Sequence, residues 1–355
     1  MKDFLSKVFR RQIFIPIAAL LILALFNLIT DPSFFKITVG QNSLGDPVLS
    51  GYLITILDFG SELAILALGM TLVTSASGGQ DISVGAGIAV AGSVMLRILC
   101  GPDARSEELM APIIVAFLVG VIAAMLCGAF NGVLVAYFKI PPMVATLILF
   151  TAGRSIAAWV NNNMLPVVND VSYGYFGGFI PGIPVPTPVF IALICIVITA
   201  LILKFTNLGL YTQTVGINEN ASKLNGLNPR FVKFLTFVFL GVCVGVCGLI
   251  KTSRINTINY SVIAKDIEMD AILAVALGGN SLSGGKFNMT ASILGAYVIQ
   301  ALTTTLYKMQ VSSDALSAYK AVVVILLVVF SAPAVREKFK QISARMKAGK
   351  KEEVA

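Results

Sequence analysis

Residues 206–229 read TNLGLYTQTVGINENASKLNGLNP, a polar island between two apolar runs. Nearly everything around it is suited to lipid, so its reading decides the architecture. A polar loop of this length between membrane helices works in water. Within it, Asn218 can N-cap a short helix that starts at Glu219, and Gly226 can end it. The expected product is a helix of about two turns lying along the membrane, shaped to receive a soluble partner. A plain amphipathic connector is the alternative.

The rest of the chain supports the membrane setting. The 355 residues are 57% hydrophobic and 12% charged, with a mean hydropathy of +0.88. Soluble domains carry about twice that charge. The apolar runs are helix-length and do not alternate, so helices are expected rather than a barrel. The expectation is an all-α, polytopic transmembrane bundle forming one domain over 1–355. Ten spans can be drawn, give or take one: 13–30, 51–76, 82–99, 111–138, 143–160, 187–204, 231–250, 267–279, 289–307 and 318–334. The eighth is short for about 30 Å of hydrocarbon. Either its polar start is buried in protein or it does not fully cross.

With the N-terminus inside, alternation puts 17 Lys and Arg in inner segments and 7 in outer ones. This bias places both termini, the 206–230 loop and a basic tail at 336–355 in the cytoplasm. Lys251 and Arg254 fall outside on this count. The net charge of +8 follows from that bias and from anionic lipid, without nucleic acid. The first apolar run follows a basic start but lacks a small-x-small cleavage site, so it reads as a retained helix.

The chain contains no histidine and five cysteines, all in or beside apolar spans. The commonest metal ligand and general base are therefore missing, and the thiols read as packing groups. No metal, catalytic residue or cofactor is expected in this chain.

Two Gly-rich interruptions stand about 200 residues apart: SGGQDISVGAG at 77–87 and GGNSLSGGKF at 278–287. Paired interruptions of this kind point to a translocation pathway, or alternatively to tight helix packing. The second resembles a phosphate-binding loop, but Asn280 and Phe287 replace two required residues and no strand is expected before it. Any ATPase must then be a separate chain. Asp81 costs about 2.5–3.5 kcal/mol at mid-membrane and must face water or protein. Asp58 and Glu62 lie four apart, where like charges repel. They either line a polar vestibule or serve a proton-coupled carrier. Arg154 snorkels or pairs with an acid such as Asp58. Asp266, Glu268 and Asp270 cap a helix start, bind hydroxyls or stay solvated. The segment 161–186 is either a plain outer loop or a contact surface for a delivery protein.

Four ordered blocks carry a family resemblance: SGGQDISVGAGIAVAG (77–92), Asn131 to Ala157, VGINENASKLNG (215–226) and DIEMDAILAVALGGNSLSGGKFN (266–288). Together they resemble ribose-type ABC sugar permeases, most closely the galactofuranose type, over roughly 15–335. Gln80, Ser222, Asp58 and Glu62 depart from that pattern.

The resemblance implies a bacterial plasma-membrane permease that imports a monosaccharide such as galactofuranose, ribose or galactose. ATP and magnesium would sit on cytoplasmic ATP-binding subunits. A second, different permease chain and an extracytoplasmic sugar-binding protein would complete the importer. Gly216, Asn218, Glu219, Ala221 and Gly226 match the loop that couples to the ATPase. Asp81, Asn131, Thr146, Gly79, Gly279 and Ser281 are the expected pathway residues. An ion-coupled secondary transporter of a small polar solute is the alternative; it would depend on Asp58, Glu62 or Arg154.

Overall fold

A computed structural model describes residues 13–41, 45–102, 104–106 and 108–331. The basic start and the tail 336–355 lie outside the described residues. The helices are α1 (Phe14–Thr30), α2 (Tyr52–Ser77), α3 (Val84–Cys100), α4 (Ile113–Ala136), α5 (Pro142–Val160), the single turn α6 (Val171–Gly174), α7 (Thr187–Phe205), α8 (Leu208–Ile217), α9 (Glu219–Leu224), α10 (Pro229–Ile255), α11 (Ile267–Leu277), α12 (Met289–Lys308) and α13 (Ser313–Ser331). Each of the ten drawn apolar runs overlaps one of these helices. Six of them, α2, α4, α5, α7, α10 and α12, are long and apolar enough to cross a membrane by length and composition.

Local chemistry sets the boundaries. Asn228 accepts from Phe231 N at 3.2 Å and Pro229 opens the helix, so α10 starts before its apolar run. It continues to Ile255, where Asn256 turns left-handed. Lys251 and Arg254 therefore stand on the last turns of α10, not in an outer loop. Asn288 caps α12 through Ala291 N at 3.1 Å. The last helix begins at Ser313, before the run expected at 318, because the Ser312 carbonyl accepts from Ala315 and Leu316.

The fold is helical but not purely so. β1 (Thr38–Gln41) pairs antiparallel with β2 (Pro47–Ser50), and β3 (Arg105–Ser106) pairs parallel with β4 (Val167–Val168). Extended connections lying side by side satisfy their backbone groups this way, which helix-length periodicity does not reveal.

α2 is the core of the bundle. Every residue from Gly60 to Ala76 is buried, against α7, α8, α10, α11 and α12. α4 and α10 pack closely: a Cβ on Gly128 would stand 2.4 Å from the Phe237 carbonyl, so only glycine permits the approach. The opposite face of α4 exposes Ile114, Leu118, Ile122 and Leu126, one residue per turn. Such a stripe suits lipid. α1 joins α12 through buried Asn27, whose amide donates to Thr305 Oγ1 at 2.8 Å.

α11 has 11 residues, about 17 Å of rise, and cannot cross alone. The irregular segment 278–288 follows it, with Gly278, Asn280 and Gly285 buried and Ser281, Leu282, Ser283 and Lys286 exposed.

Candidate coupling joint and polar clusters

The polar island folds into two helices, not one. α9 is the expected turn: Asn218 Oδ1 accepts from Ala221 N at 3.0 Å, and Gly226 ends it at φ +79°. Glu219 pairs with Lys223 at 2.9 Å and with Lys233 of α10 at 2.8 Å. Hydrogen bonds from Lys233 first and Lys223 second hold its carboxyl down to about 2. Leu224, in the same turn, is 90% exposed. The preceding α8 was not legible because its apolar content is thin. Thr206 Oγ1 accepts from Leu208 N at 3.3 Å at its start, and Gly209, Thr212 and Val215 bury one face.

α8 meets the end of α2 and the second Gly-rich interruption at one point. The Ser75 carbonyl accepts from Gly285 N at 3.0 Å, and the Ser75 hydroxyl donates to the Gly285 carbonyl. Gly216 lies against both: a Cβ there would stand 1.8 Å from Ser75 O and 2.6 Å from Gly285 N. Gln80 Nε2 donates to the Leu282 carbonyl at 3.0 Å, tying the first interruption to the second. Asn280 orders the second. Its amide donates to Ser292 Oγ at 2.6 Å and its carbonyl accepts from Asn288 N at 2.7 Å. The residue that breaks the phosphate-loop pattern thus has a structural task, and the segment follows helix α11, not a strand.

The expected pathway residues divide. Asp81 Oδ1 accepts from Ser83 N at 2.8 Å and Ser83 Oγ at 2.7 Å, and Asp81 Oδ2 from Asn131 Nδ2 at 3.1 Å. Thr146 Oγ1 accepts from Ile82 N at 3.2 Å. These residues are buried, and the cavity beside Asp81 and Asn131 holds only about 10 Å³. They form a brace that fixes the first interruption to α4 and α5. Gly79 packs on Pro142. Gly279 and Ser281 lie in the second interruption; Ser281 Oγ accepts from Ser283 N at 3.3 Å.

At the opposite end of α2, Asp58 and Glu62 do not repel unrelieved. Arg254 reaches Asp58 at 3.0 Å and Glu62 at 2.9 Å, and Lys251 reaches Glu62 at 2.7 Å. The Arg254 guanidinium also lies 3.8 Å from the Phe59 ring centre. Both cations come from the helical extension of α10, which explains why their pairing was missed. Arg154 does not pair with Asp58. It donates to the carbonyls of Tyr260 at 2.8 Å and Ile263 at 3.0 Å. Asp266 sits at the start of α11 without capping it through its side chain. Glu268 is buried, and Asp270 pairs with Lys320 at 2.7 Å.

A central buried helix, two irregular segments tied to each other near its end and a short helix seated on that helix and the second segment fit a polytopic transport permease. The family described as "Branched-chain amino acid transport system / permease component" matches residues 52–332, and the chain belongs to it. Within that family it is a ribose-type ABC sugar permease. It is 36% identical to the galactofuranose transporter permease protein YtfT of Escherichia coli (strain K12), over 88% of this chain and 87% of that one. It is 33% identical to the fructose import permease protein FruF of Bifidobacterium longum (strain NCC 2705), over 97% and 93%. The same 33% holds for the ribose import permease protein RbsC of Escherichia coli (strain K12), over 88% and 91%.

Proposed function

We propose that this chain is the membrane permease subunit of an ATP-driven importer that carries a monosaccharide into the bacterial cytoplasm. The relatives are named for galactofuranose, fructose and ribose, so the cargo class is a small neutral sugar. Both termini and the α8–α9 segment face the cytoplasm, and the ten helices drawn from the sequence all contribute to the membrane body. ATP and magnesium are held by separate cytoplasmic subunits. An extracytoplasmic sugar-binding protein delivers the solute, and a second, different permease chain completes the path.

The observation that carries this reading is the contact of Gly216 with Ser75 and Gly285. A push on α9 from a soluble partner reaches the end of α2 and the 278–288 segment through one junction without a gap. The engagement of Asp58 and Glu62 in ion pairs, and of Arg154 with backbone carbonyls, supports the importer over an ion-coupled carrier. The test is purification of the tagged chain in gentle detergent with identification of the chains that accompany it. A P-loop ATPase and a second permease are expected. A lone chain with gradient-driven uptake in liposomes would overturn the proposal.

A further inference from the structure

A cavity of about 760 Å³ opens at the Tyr52 end of α2, far from α8 and α9. Its walls are the first turns of α2, the last turns of α12, the start of α13 and the residues leading into α11. The volume lies within the roughly 300–1,000 Å³ of small-molecule sites. The brace at Asp81, with about 10 Å³ beside it, has no such room.

The α12 wall has a pattern. Gln300, Thr303, Thr304 and Tyr307 all line the cavity, and their spacing of i, i+3, i+4 and i+7 places them on one helical face. Hydrogen-bonding side chains turned to lipid would be costly, so a polar stripe in a membrane helix needs water or a hydroxylated occupant. The stripe is only partly spent within the protein. Gln300 Nε2 donates to Thr304 Oγ1 at 3.3 Å, and Thr303 Oγ1 donates to the Ile299 carbonyl at 2.9 Å. The second amide hydrogen and the carbonyl of Gln300 remain as a donor and an acceptor. Tyr307 is 52% exposed and offers an aromatic face with a phenol at its edge.

Charge around the cavity cancels. Lys251, Lys265, Lys308 and Lys320 line it with Asp266 and Asp270. Glu62 and Asp31 stand behind Lys251 and Lys308 at 2.7 and 3.0 Å, and Lys320 meets Asp270 at 2.7 Å. Four cations thus face four acids. A balanced rim gives no net field to draw a charged solute. Among the described residues, Lys265 and Asp266 form no ion pair, so both heads stay available at the rim. The backbone there is strained, with Ala264 at φ +51° and Asp266 at φ +64°. Left-handed backbone at a non-glycine residue tends to cluster at functional sites.

We infer that this vestibule is a receiving site for a neutral, hydroxyl-rich solute of monosaccharide size, bound weakly between Gln300, Thr304 and Tyr307 on one wall and Thr55 on the other. The inference rests on the importer reading above and locates where the permease first holds its cargo. Weak binding follows from the half-open shape and the absence of a buried, unpaired charge aimed at the solute.

The test uses the assembled importer in liposomes, with Tyr307→Cys labelled by a membrane-impermeant maleimide. The parent importer is labelled in parallel to account for the native cysteines. The probes are D-galactose, D-fructose and D-ribose, each at about ten times a roughly millimolar Kd. D-ribose 5-phosphate and L-leucine serve as controls. At least one sugar should slow labelling about tenfold while the controls do not, and Gln300→Leu with Thr304→Val should remove the protection. If Tyr307→Cys does not assemble, Thr55→Cys reports from the facing wall. Unprotected labelling by a sugar that the parent importer takes up would overturn the vestibule site and leave the importer standing. Equal protection by the controls would overturn its selectivity for neutral polyols. ATP-dependent uptake of none of the sugars would sink the importer reading, and the vestibule assignment with it.

Discussion

The two ends of α2 are held by opposite means. At the Tyr52 end, Asp58 and Glu62 reach across to Arg254 and Lys251, and Lys251 also lines an open volume. At the Ser77 end, contact is made on backbone groups without charge: Ser75 against Gly285, with Gly216 pressed into the same point. One end has room and adjustable side chains. The other has neither. A solute needs the first arrangement, because its hydroxyls must find partners while it moves. A mechanical signal needs the second, because slack between parts dissipates a push. The central helix joins the two, so a shift at one end is felt at the other only while both attachments hold.

If the Tyr52 end depends on charge, removing one acid should harm it most. Glu62 is 1% exposed and engages two cations, whereas Asp58 is 18% exposed and engages one. Glu62→Ala takes the shared carboxylate from Lys251 and Arg254; since these cations are 23% and 17% exposed, the loss should stay below the roughly 3–5 kcal/mol of a fully buried pair. Thermal unfolding in detergent should show that loss, and Asp58→Ala should show clearly less. Equal effects would mean that the cluster does not tie α2 to α10 as its geometry implies.

The Ser77 end should be indifferent to charge and sensitive to a single methyl group. Gly216→Ala places a carbon where only 1.8 Å is free. Overpacking of this kind costs about 1–3 kcal/mol. Borne by the transport step, that is a fall in ATP-driven uptake of roughly 5-fold to 160-fold. The complex should still assemble, since α8 lies on the bundle surface. Gly226→Ala is the control: its left-handed φ of +79° carries strain, but no atom lies within 4 Å of the added carbon. Its cost should stay near 1 kcal/mol. If the two variants behave alike, the junction is not the point of transmission.

This contrast also explains what could be read from the chain. Helix-length apolar runs gave the bundle, and Asn218 and Gly226 gave α9, because both signals are local and periodic. Asp81, Asn131 and Thr146 are expected in the pathway from the sequence, yet their closed packing is invisible there, because a sequence does not say whether polar groups face a passage or each other. The partners of Asp58 and Glu62 were lost when α10 was ended at residue 250. Its last turn carries Lys251 and Arg254, and a basic turn beyond an apolar run looks like a loop. The junction at Ser75 depends on three segments far apart in the chain, and no periodicity records such contacts. The vestibule could have been found: Gln300, Thr303, Thr304 and Tyr307 recur at helical spacing within an apolar run.

The smallest expected effect concerns charge at the α8–α9 end, where the comparison says charge should matter little. Glu219 is the exception to test. Its carboxyl is held near 2, below an ordinary value of 4.5, by Lys233 and then Lys223. A lowered folded-state value means that the pair adds stability above about pH 4.5 and loses it as pH falls through about 2. Across neutral pH the contribution is therefore flat. The side chain is 34% exposed, so water and salt screen the pairs, and each is worth about 0.2–1 kcal/mol. Glu219→Gln should lower sugar-stimulated ATP hydrolysis by the assembled complex less than fivefold. The deficit should shrink in high salt, which already weakens the parent pairs. A loss matching that of Gly216→Ala would show that α9 is held by charge after all. The difference between the two ends of α2 would then lie in how much room surrounds the contacts, and no longer in their chemistry.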